Sequence, residues 1–136
     1  MDNKGGKKYI IRRKDLFYPE LSFKLNGIFF EVAKQLGGGH QEKYYQKAIK
    51  IGFEKSGIKF IEQAYVPLKF DNEIVGKYFL DFLVEDKIVI EIKRGEFISR
   101  KIIDQTKQYL ETLDLKLGLL VCFTHGGAII KRVVNE

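Results

Sequence analysis

The 136 residues contain a single cysteine, Cys122, which rules out an intramolecular disulfide. It lies inside the apolar run Leu119-Leu120-Val121-Cys122-Phe123 and reads as a small core residue in a reducing, cytoplasmic setting. No apolar run approaches the roughly 20 residues that a membrane-spanning helix needs, so no membrane association is expected. The opening Met1-Asp2-Asn3-Lys4-Gly5-Gly6-Lys7-Lys8 leads into no apolar segment like that of a secretion signal. Internal repeats and low-complexity segments are also missing. What is left is an ordinary globular composition, 45% apolar, in a chain long enough to bury one core. The formal charge of +6 favours polyanionic partners without bearing on fold.

Residues 1–14 are rich in Lys, Arg and Gly and lack periodicity. They read as a loose basic arm, either a solubilising tail or a contact for nucleic acid. From Glu20 to Leu36, Leu21, Leu25, Ile28, Val32 and Leu36 recur at helical spacing, and Gly37-Gly38-Gly39 ends the helix. A second helix is expected from Gln41 to Ser56, with Tyr45, Ala48, Ile49 and Phe53 inward. The period then changes to that of strands over Lys59–Phe70, Lys77–Val84 and Lys87–Lys93, with turns at Asp71-Asn72-Glu73 and Glu85-Asp86. A helix from Ser99 to Leu113 starts at a plausible N-cap serine and carries Ile102, Ile103, Thr106, Tyr109, Leu110 and Leu113 on one broad face. Strands at Leu117–Thr124 and Ala128–Val134, joined at Gly126-Gly127, complete an α/β order of helix, helix, three strands, helix, two strands.

Two of those strands carry an anomaly. Tyr78-Phe79-Leu80-Asp81-Phe82-Leu83-Val84 and Ile88-Val89-Ile90-Glu91-Ile92-Lys93 are apolar on both faces, as at the centre of a covered sheet, except at Asp81, Glu91 and Lys93. A buried carboxylate is costly unless it is paired, hydrogen-bonded or bound to a metal. Glu91 and Lys93, two apart, share a strand face. Placing Asp81 beside Glu91 requires Val84 opposite Ile88 and a three-residue loop, Glu85-Asp86-Lys87; a two-residue loop would turn Asp81 to the other face. Two carboxylates with the Ile92 carbonyl are hard oxygen ligands suited to Mg²⁺ or Mn²⁺, and Lys93 beside them could orient water and stabilise developing negative charge. The competing reading is a buried ion pair without catalytic role.

An Asp, nine residues, then Glu-x-Lys on two apolar strands resembles the PD-(D/E)xK, or restriction-endonuclease-like, nuclease superfamily. The segment Gly39-His40-Gln41-Glu42-Lys43-Tyr44-Tyr45 matches Gly-x-x-Glu-x-x-Tyr, the signature of the GxxExxY proteins. Val84-Glu85-Asp86-Lys87, Glu91-Ile92-Lys93 and Leu117-Gly118-Leu119-Leu120 are also similar to that family. The resemblance spans Leu21 to Asn135. It implies a core of helix, three-stranded meander, helix and two further strands over residues 15–136, with an extra N-terminal helix. The match to that family supplies no substrate by itself; the function expected of the whole pattern is a divalent-metal-dependent nuclease acting on DNA in preference to RNA. Glu42 becomes a third metal-ligand candidate, although a Glu in a first helical turn is also favoured by the helix dipole alone. Gln105 and Tyr109 resemble the Gln-x-x-x-Tyr motif that RecB-like nucleases carry on this helix to support the site and contact DNA. The residue before Asp81 is Leu80 and not the proline of the superfamily's label.

Arg94, Arg100 and Lys101, with Lys107 further on, flank the expected site as phosphate contacts or as a solvated basic face. His40 and His125 have no partner at metal-ligand spacing and read as loop residues. The aromatics Phe17, Tyr18, Phe23, Phe29 and Phe30 are expected to pack the first helix. The alternatives to a nuclease are a nucleic-acid-binding module that no longer cleaves, and a protein–protein adaptor on a relic nuclease fold. The adaptor requires an exposed apolar patch on the first helix. The small size of the domain leaves room for a homodimer or a larger complex.

Overall fold

The computed structural model describes residues 17–136, so the basic arm expected over residues 1–14 lies outside the described residues. Helices α1 (Pro19–Leu36) and α2 (Glu42–Lys55) precede strands β1 (Phe60–Phe70), β2 (Glu73–Val84) and β3 (Ile88–Arg94). Helix α3 (Arg100–Leu113) and strands β4 (Leu117–Thr124) and β5 (Gly127–Val134) follow. The five strands lie side by side in chain order. All neighbours are antiparallel except β3 and β4, which run parallel and are joined by α3 as a crossover. This is the α/β, restriction-endonuclease-like arrangement that the sequence led us to expect. No helix of the described residues is long and apolar enough to cross a membrane.

The sheet is covered on both faces. Helices α1 and α2 bury Leu25, Phe29, Val32, Tyr45, Ile49 and Phe53 against the Phe82, Ile88, Ile90, Ile92 and Leu119 side. Helix α3 buries Tyr109 and Leu110 against Ala64, Val66, Leu80, Val89 and Leu120 on the other. Strand β4 is buried at every position, which is why it reads as an unbroken apolar run. Phe53 meets Phe29, Phe60 and Phe82 at centroid distances of 6.2, 5.5 and 5.1 Å. Burying each such ring is worth about 2–3 kcal/mol.

The simple alternation of strand faces fails at one level of the sheet. Phe82 and Val84 pack towards α1 and α2, yet Leu80, with the same parity as Phe82, packs towards α3. The same switch separates Phe60 from Ala64 in β1. Regular pairing runs Glu62↔Phe82 and resumes at Ala64↔Leu80, skipping Gln63 and Asp81, and Gln63 has φ of 55°. Both strands therefore slip by one residue together. Register is preserved, and the outer half of the hairpin turns its even-numbered residues onto α3.

Several boundaries differ from expectation. Strand β2 begins at Glu73, not Lys77, because Asp71 and Asn72 alone form the turn, with φ of 49° and 64°, and Phe70 pairs with Glu73. Positive φ at both central residues suits the right-handed strand twist, and Asp and Asn tolerate it. The last turn is His125-Gly126, since Thr124 pairs with Gly127. In α1 the buried positions are Ser22, Leu25, Phe29 and Val32, while Leu36 is exposed. Ser22 is buried because its hydroxyl donates to the Tyr18 carbonyl and accepts from Arg132. Phe23 and Phe30 do not pack the helix but stand 81% and 52% exposed.

The glycine run between α1 and α2 sets where α2 begins. Gly39 has φ of 90°, and a Cβ on Gly38 would lie 2.8 Å from the Thr124 carbonyl oxygen and 2.9 Å from the His125 Cα. Both obstacles are backbone, so they cannot swing aside. Gly38→Ala is expected to cost about 1–3 kcal/mol of folding stability, read by chemical denaturation. An unchanged midpoint would show that the loop does not rest on the β4–β5 turn as described.

Candidate active site

The pairing of β2 with β3 reads Val84↔Ile88, Leu83↔Val89 and Phe82↔Ile90. That is the register, with its three-residue loop, which the placement of Asp81 beside Glu91 required. Glu85 and Asp86 both have positive φ, and the Lys87 N–H closes the turn on the Val84 carbonyl at 2.9 Å. The backbone ladder stops one step short of Asp81 and Glu91, however. Strand β3 continues along β4 as far as Arg94↔Phe123, so β2 leaves it while β4 does not.

Carboxylates take over where the ladder ends. The Asp81 N–H donates to Glu91 Oε2 at 2.9 Å, and the Ile92 N–H donates to Asp81 Oδ2 at 2.7 Å. Two backbone donors that would be orphaned by the parting strands are thereby satisfied. Each carboxylate commits one oxygen to these bonds. The pair lies midway along the parallel strands, with Glu91 opposite Leu120 of β4.

The electrostatics are strained. Burial, reinforced by the Asp81 charge, pushes the Glu91 carboxyl up to about 7. Burial also raises Asp81, with Glu42 and Glu62 adding to the shift; the Ile92 N–H and Lys93 oppose it. Lys93 is half-buried, shares the strand face of Glu91 and lowers both acids. One lysine does not neutralise the two carboxylates.

Two helices bring further groups. Glu42 opens α2 and accepts the Arg94 N–H at 3.3 Å, which sets it at the end of β3, within electrostatic reach of both acids. Tyr45, one turn on, is fully buried, stacks on Phe123 at 4.1 Å and donates its hydroxyl to the Gly37 carbonyl at 2.6 Å. From the opposite face α3 presents Tyr109, whose ring meets Tyr78 at 5.4 Å. Burial and then Glu91 raise its phenol to about 12. Gln105, one turn earlier, is half-buried. Ser99 caps α3 as expected, accepting the Ile102 N–H at 3.2 Å.

The flanking basic residues are less available than their sequence positions imply. The Arg94 guanidinium donates to the His40 carbonyl, and Arg100 is paired with Asp104 at 3.2 Å on the outer face of α3. Lys101 is exposed. His40 is a loop residue held on the Leu36 carbonyl, and His125 lies in the β4–β5 turn. Cys122 is buried, and burial raises its thiol, as befits a core residue.

Sequence reasoning missed Glu62. Its oxygens are held by Gln46 (3.0 Å) and Lys50 (3.2 Å) of α2, and its charge is felt at Asp81. A glutamate on an edge strand is unremarkable in sequence, so only the register reveals it. Among the described residues no three His, Cys, Asp or Glu side chains assemble a complete metal cage.

The profile of the PD-(D/E)XK nuclease superfamily matches residues 19–133, and the chain belongs to that superfamily. Among solved structures the chain is similar to an alkaline exonuclease, LHK-Exo, from Laribacter hongkongensis. Identity is 10% and the TM-score 0.48, with 85% of this chain and 82% of that chain covered. It is also similar to a protein named SSO0001, at 14% identity and a TM-score of 0.46, covering 86% of this chain and 78% of that chain. No curated protein matches.

Because the folded Glu91 carboxyl titrates near 7, against 4.5 for an unhindered one, the native state holds more protons than the unfolded chain between those values. Stability of the metal-free protein is therefore greatest below about pH 4.5, as far as this group is concerned, and falls as pH rises towards 7. Thermal melts in chelator should show the melting temperature dropping by several degrees from pH 5 to pH 7.5, with Glu91→Gln flattening that slope. A slope unaltered by the substitution would remove Glu91 as its source.

Proposed function

We propose that this protein is a divalent-metal-dependent nuclease that hydrolyses phosphodiester bonds, with DNA as its substrate, and that within the superfamily it is a GxxExxY protein. One observation carries the reading: half-buried Asp81 and buried Glu91, two mutually repelling carboxylates, are locked together by backbone N–H bonds at the point where the sheet opens. Such a pair gains most from a cation beside it. The residues fit Mg²⁺ or Mn²⁺: the free oxygens of Asp81 and Glu91 and the Ile92 carbonyl would hold the ion, with Glu42 the further candidate. An incomplete protein cage suits Mg²⁺, which keeps several waters and takes substrate phosphate as a ligand. When bound, the ion supplies Lewis acidity towards the phosphodiester.

The chain's own groups do the rest. Lys93, on the strand face of Glu91 and within electrostatic reach of both acids, orients the attacking water and donates to the charge that develops on the phosphate oxygens. Tyr109 stays protonated well above neutral pH and supports the acid pair from the α3 side, with Gln105 beside it contacting substrate. Lys101, exposed on α3, neutralises phosphate beside the site, and Arg94 and Arg100 join it by exchanging the His40 carbonyl and Asp104 for phosphate oxygens. The resemblance of Gln105 and Tyr109 to the motif that RecB-like nucleases set against DNA is what favours DNA. The Gly39, Glu42 and Tyr45 placements give the GxxExxY signature a structural sense: a positive-φ turn, a carboxylate reaching β3 and a buried anchor. The buried, unpaired Cys122 supports a reducing, cytoplasmic location.

A second reading, a protein-binding adaptor that no longer cleaves, draws on Phe23 and Phe30, exposed and seven residues apart on α1. One assay separates the two. Purified protein with Mg²⁺ or Mn²⁺ should cleave at least one of single-stranded, duplex, nicked or branched DNA, or an RNA control. Asp81→Asn and Lys93→Ala should each lose about 100-fold or more. Asn at 81 can still accept the Ile92 N–H, so that variant should fold. No cleavage of any substrate by folded wild-type protein would leave the adaptor reading.

A further inference from the structure

Helix α2 begins at the acid pair and runs away from it, and its outer face is basic. Lys43, Lys47 and Lys50 fall four and three residues apart, on one stripe with Gln46 between them. They line a single open cleft of about 520 Å³ together with Glu54 and Glu62. Two contacts tie that cleft to the site. At its head, Glu42 is bonded to the Arg94 N–H at the end of β3. Along its wall, Glu62 is held by Gln46 and Lys50, and its charge reaches Asp81.

The charges in the cleft are unequally committed. Lys50 is paired with Glu62, which leaves both Glu62 oxygens occupied and makes it a spacer between the helix and the site. Lys43 rests 5.3 Å from the Tyr44 ring centroid, and neither it nor Lys47 pairs with a carboxylate among the described residues. On the α3 side, by contrast, Arg100 is balanced by Asp104 and Arg94 is tied to the His40 carbonyl. Lys101 and Lys107 of α3 are exposed and also pair with no carboxylate among the described residues. What sets α2 apart is that its free lysines, Lys43 and Lys47, line one cleft that Glu42 and Glu62 tie to the acid pair.

We propose that the α2 face bearing Lys43, Gln46 and Lys47 is the track on which the phosphodiester backbone of the nucleic acid lies as it approaches Asp81 and Glu91. This rests on the nuclease reading and adds the direction of approach. The partner follows from the charge: a repeating anion fits lysines spaced at helical turns, and binding along them releases counterions. The side-chain amide of Gln46 stays on Glu62, so the track is read by charge and not by base sequence.

The test uses Lys43→Gln/Lys47→Gln, which leaves the Lys50–Glu62 pair intact. A control, Lys24→Gln/Lys116→Gln, removes the same charge from exposed positions near the start of α1 and just before β4, at the opposite end of the parallel strands. Binding of fluorescently labelled DNA is measured in the Asp81→Asn background across a salt series, and cleavage in the otherwise wild-type background. The track double should bind about tenfold more weakly at low salt, with a log–log salt slope shallower by about 1.8 on duplex and 1.4 on single strands. Its loss in cleavage should fall in KM and not in kcat. The control should change each far less. Equal weakening by both doubles reduces the effect to net charge and overturns the track. So does unaltered binding by the track double in a protein whose wild type cleaves, and there the nuclease reading survives. A wild type that neither binds nor cleaves nucleic acid overturns both.

Discussion

The rest of the site depends on the exchange of two hydrogen bonds, Asp81 N–H to Glu91 and Ile92 N–H to Asp81. A sheet whose central strands part must leave backbone donors without acceptors, at a cost of about 1–3 kcal/mol for each one buried. Here each strand supplies the missing acceptor from a side chain, and each acceptor is charged. The opening in the sheet and the acid pair are therefore one feature. Without the carboxylates the parting strands would carry orphaned N–H groups. Without the parting, there would be no room for the carboxylates. The slip at Gln63 and Asp81 serves the same end on the other side of β2, since regular pairing with β1 also lapses at that level.

Around this opening the two helical layers converge. From one face, the glycine turn delivers α2 with its first residue, Glu42, at the end of β3, and Tyr45 fixes that delivery by stacking flat on Phe123 and bonding back to the Gly37 carbonyl. From the other, α3 brings Tyr109 onto Tyr78, in the half of the hairpin that the slip has turned towards it. Loop, helix start and aromatic anchor are spaced three residues apart because one helical turn separates a group that reaches forward to the strand from a group that packs underneath.

Much of this was legible in the sequence. The order of elements followed from the change of period at Gly57, and the register of β2 with β3 followed from requiring both acids on one side. Those inferences worked because burial leaves a binary mark on sequence. Glu62 and the lysine stripe of α2 left no such mark: charged residues on an edge strand and on a helix surface look alike whether or not they face a site. The slip at Asp81 was hidden for a different reason. It shifts both strands together, so the register is the same before and after it, and an apolar run such as Tyr78–Val84 fits either face. Phe23 and Phe30 were misplaced because aromatic content was equated with burial, whereas the stripe that packs α1 is Ser22, Leu25, Phe29 and Val32.

The distribution of charge gives these parts a common logic. The chain carries a net charge of +6, yet its buried centre is anionic, and a single lysine, Lys93, stands on the strand face beside the pair. A more complete set of basic partners would stabilise the fold by turning the acids into a closed ion pair network, and it would also remove their affinity for a cation. Keeping the positive charge on α2 and α3, at a distance, leaves the acid pair under strain and the surface around it attractive to a polyanion. Under the proposed function the two deficits complement each other. A cation relieves the repulsion between Asp81 and Glu91 but finds too few protein ligands, and a phosphodiester on the basic surface supplies oxygen ligands but brings negative charge to an already negative centre. Each makes the other's binding more favourable, and by thermodynamic reciprocity the enhancement is mutual. A site left incomplete by its own residues is thereby completed only when metal and substrate are present together.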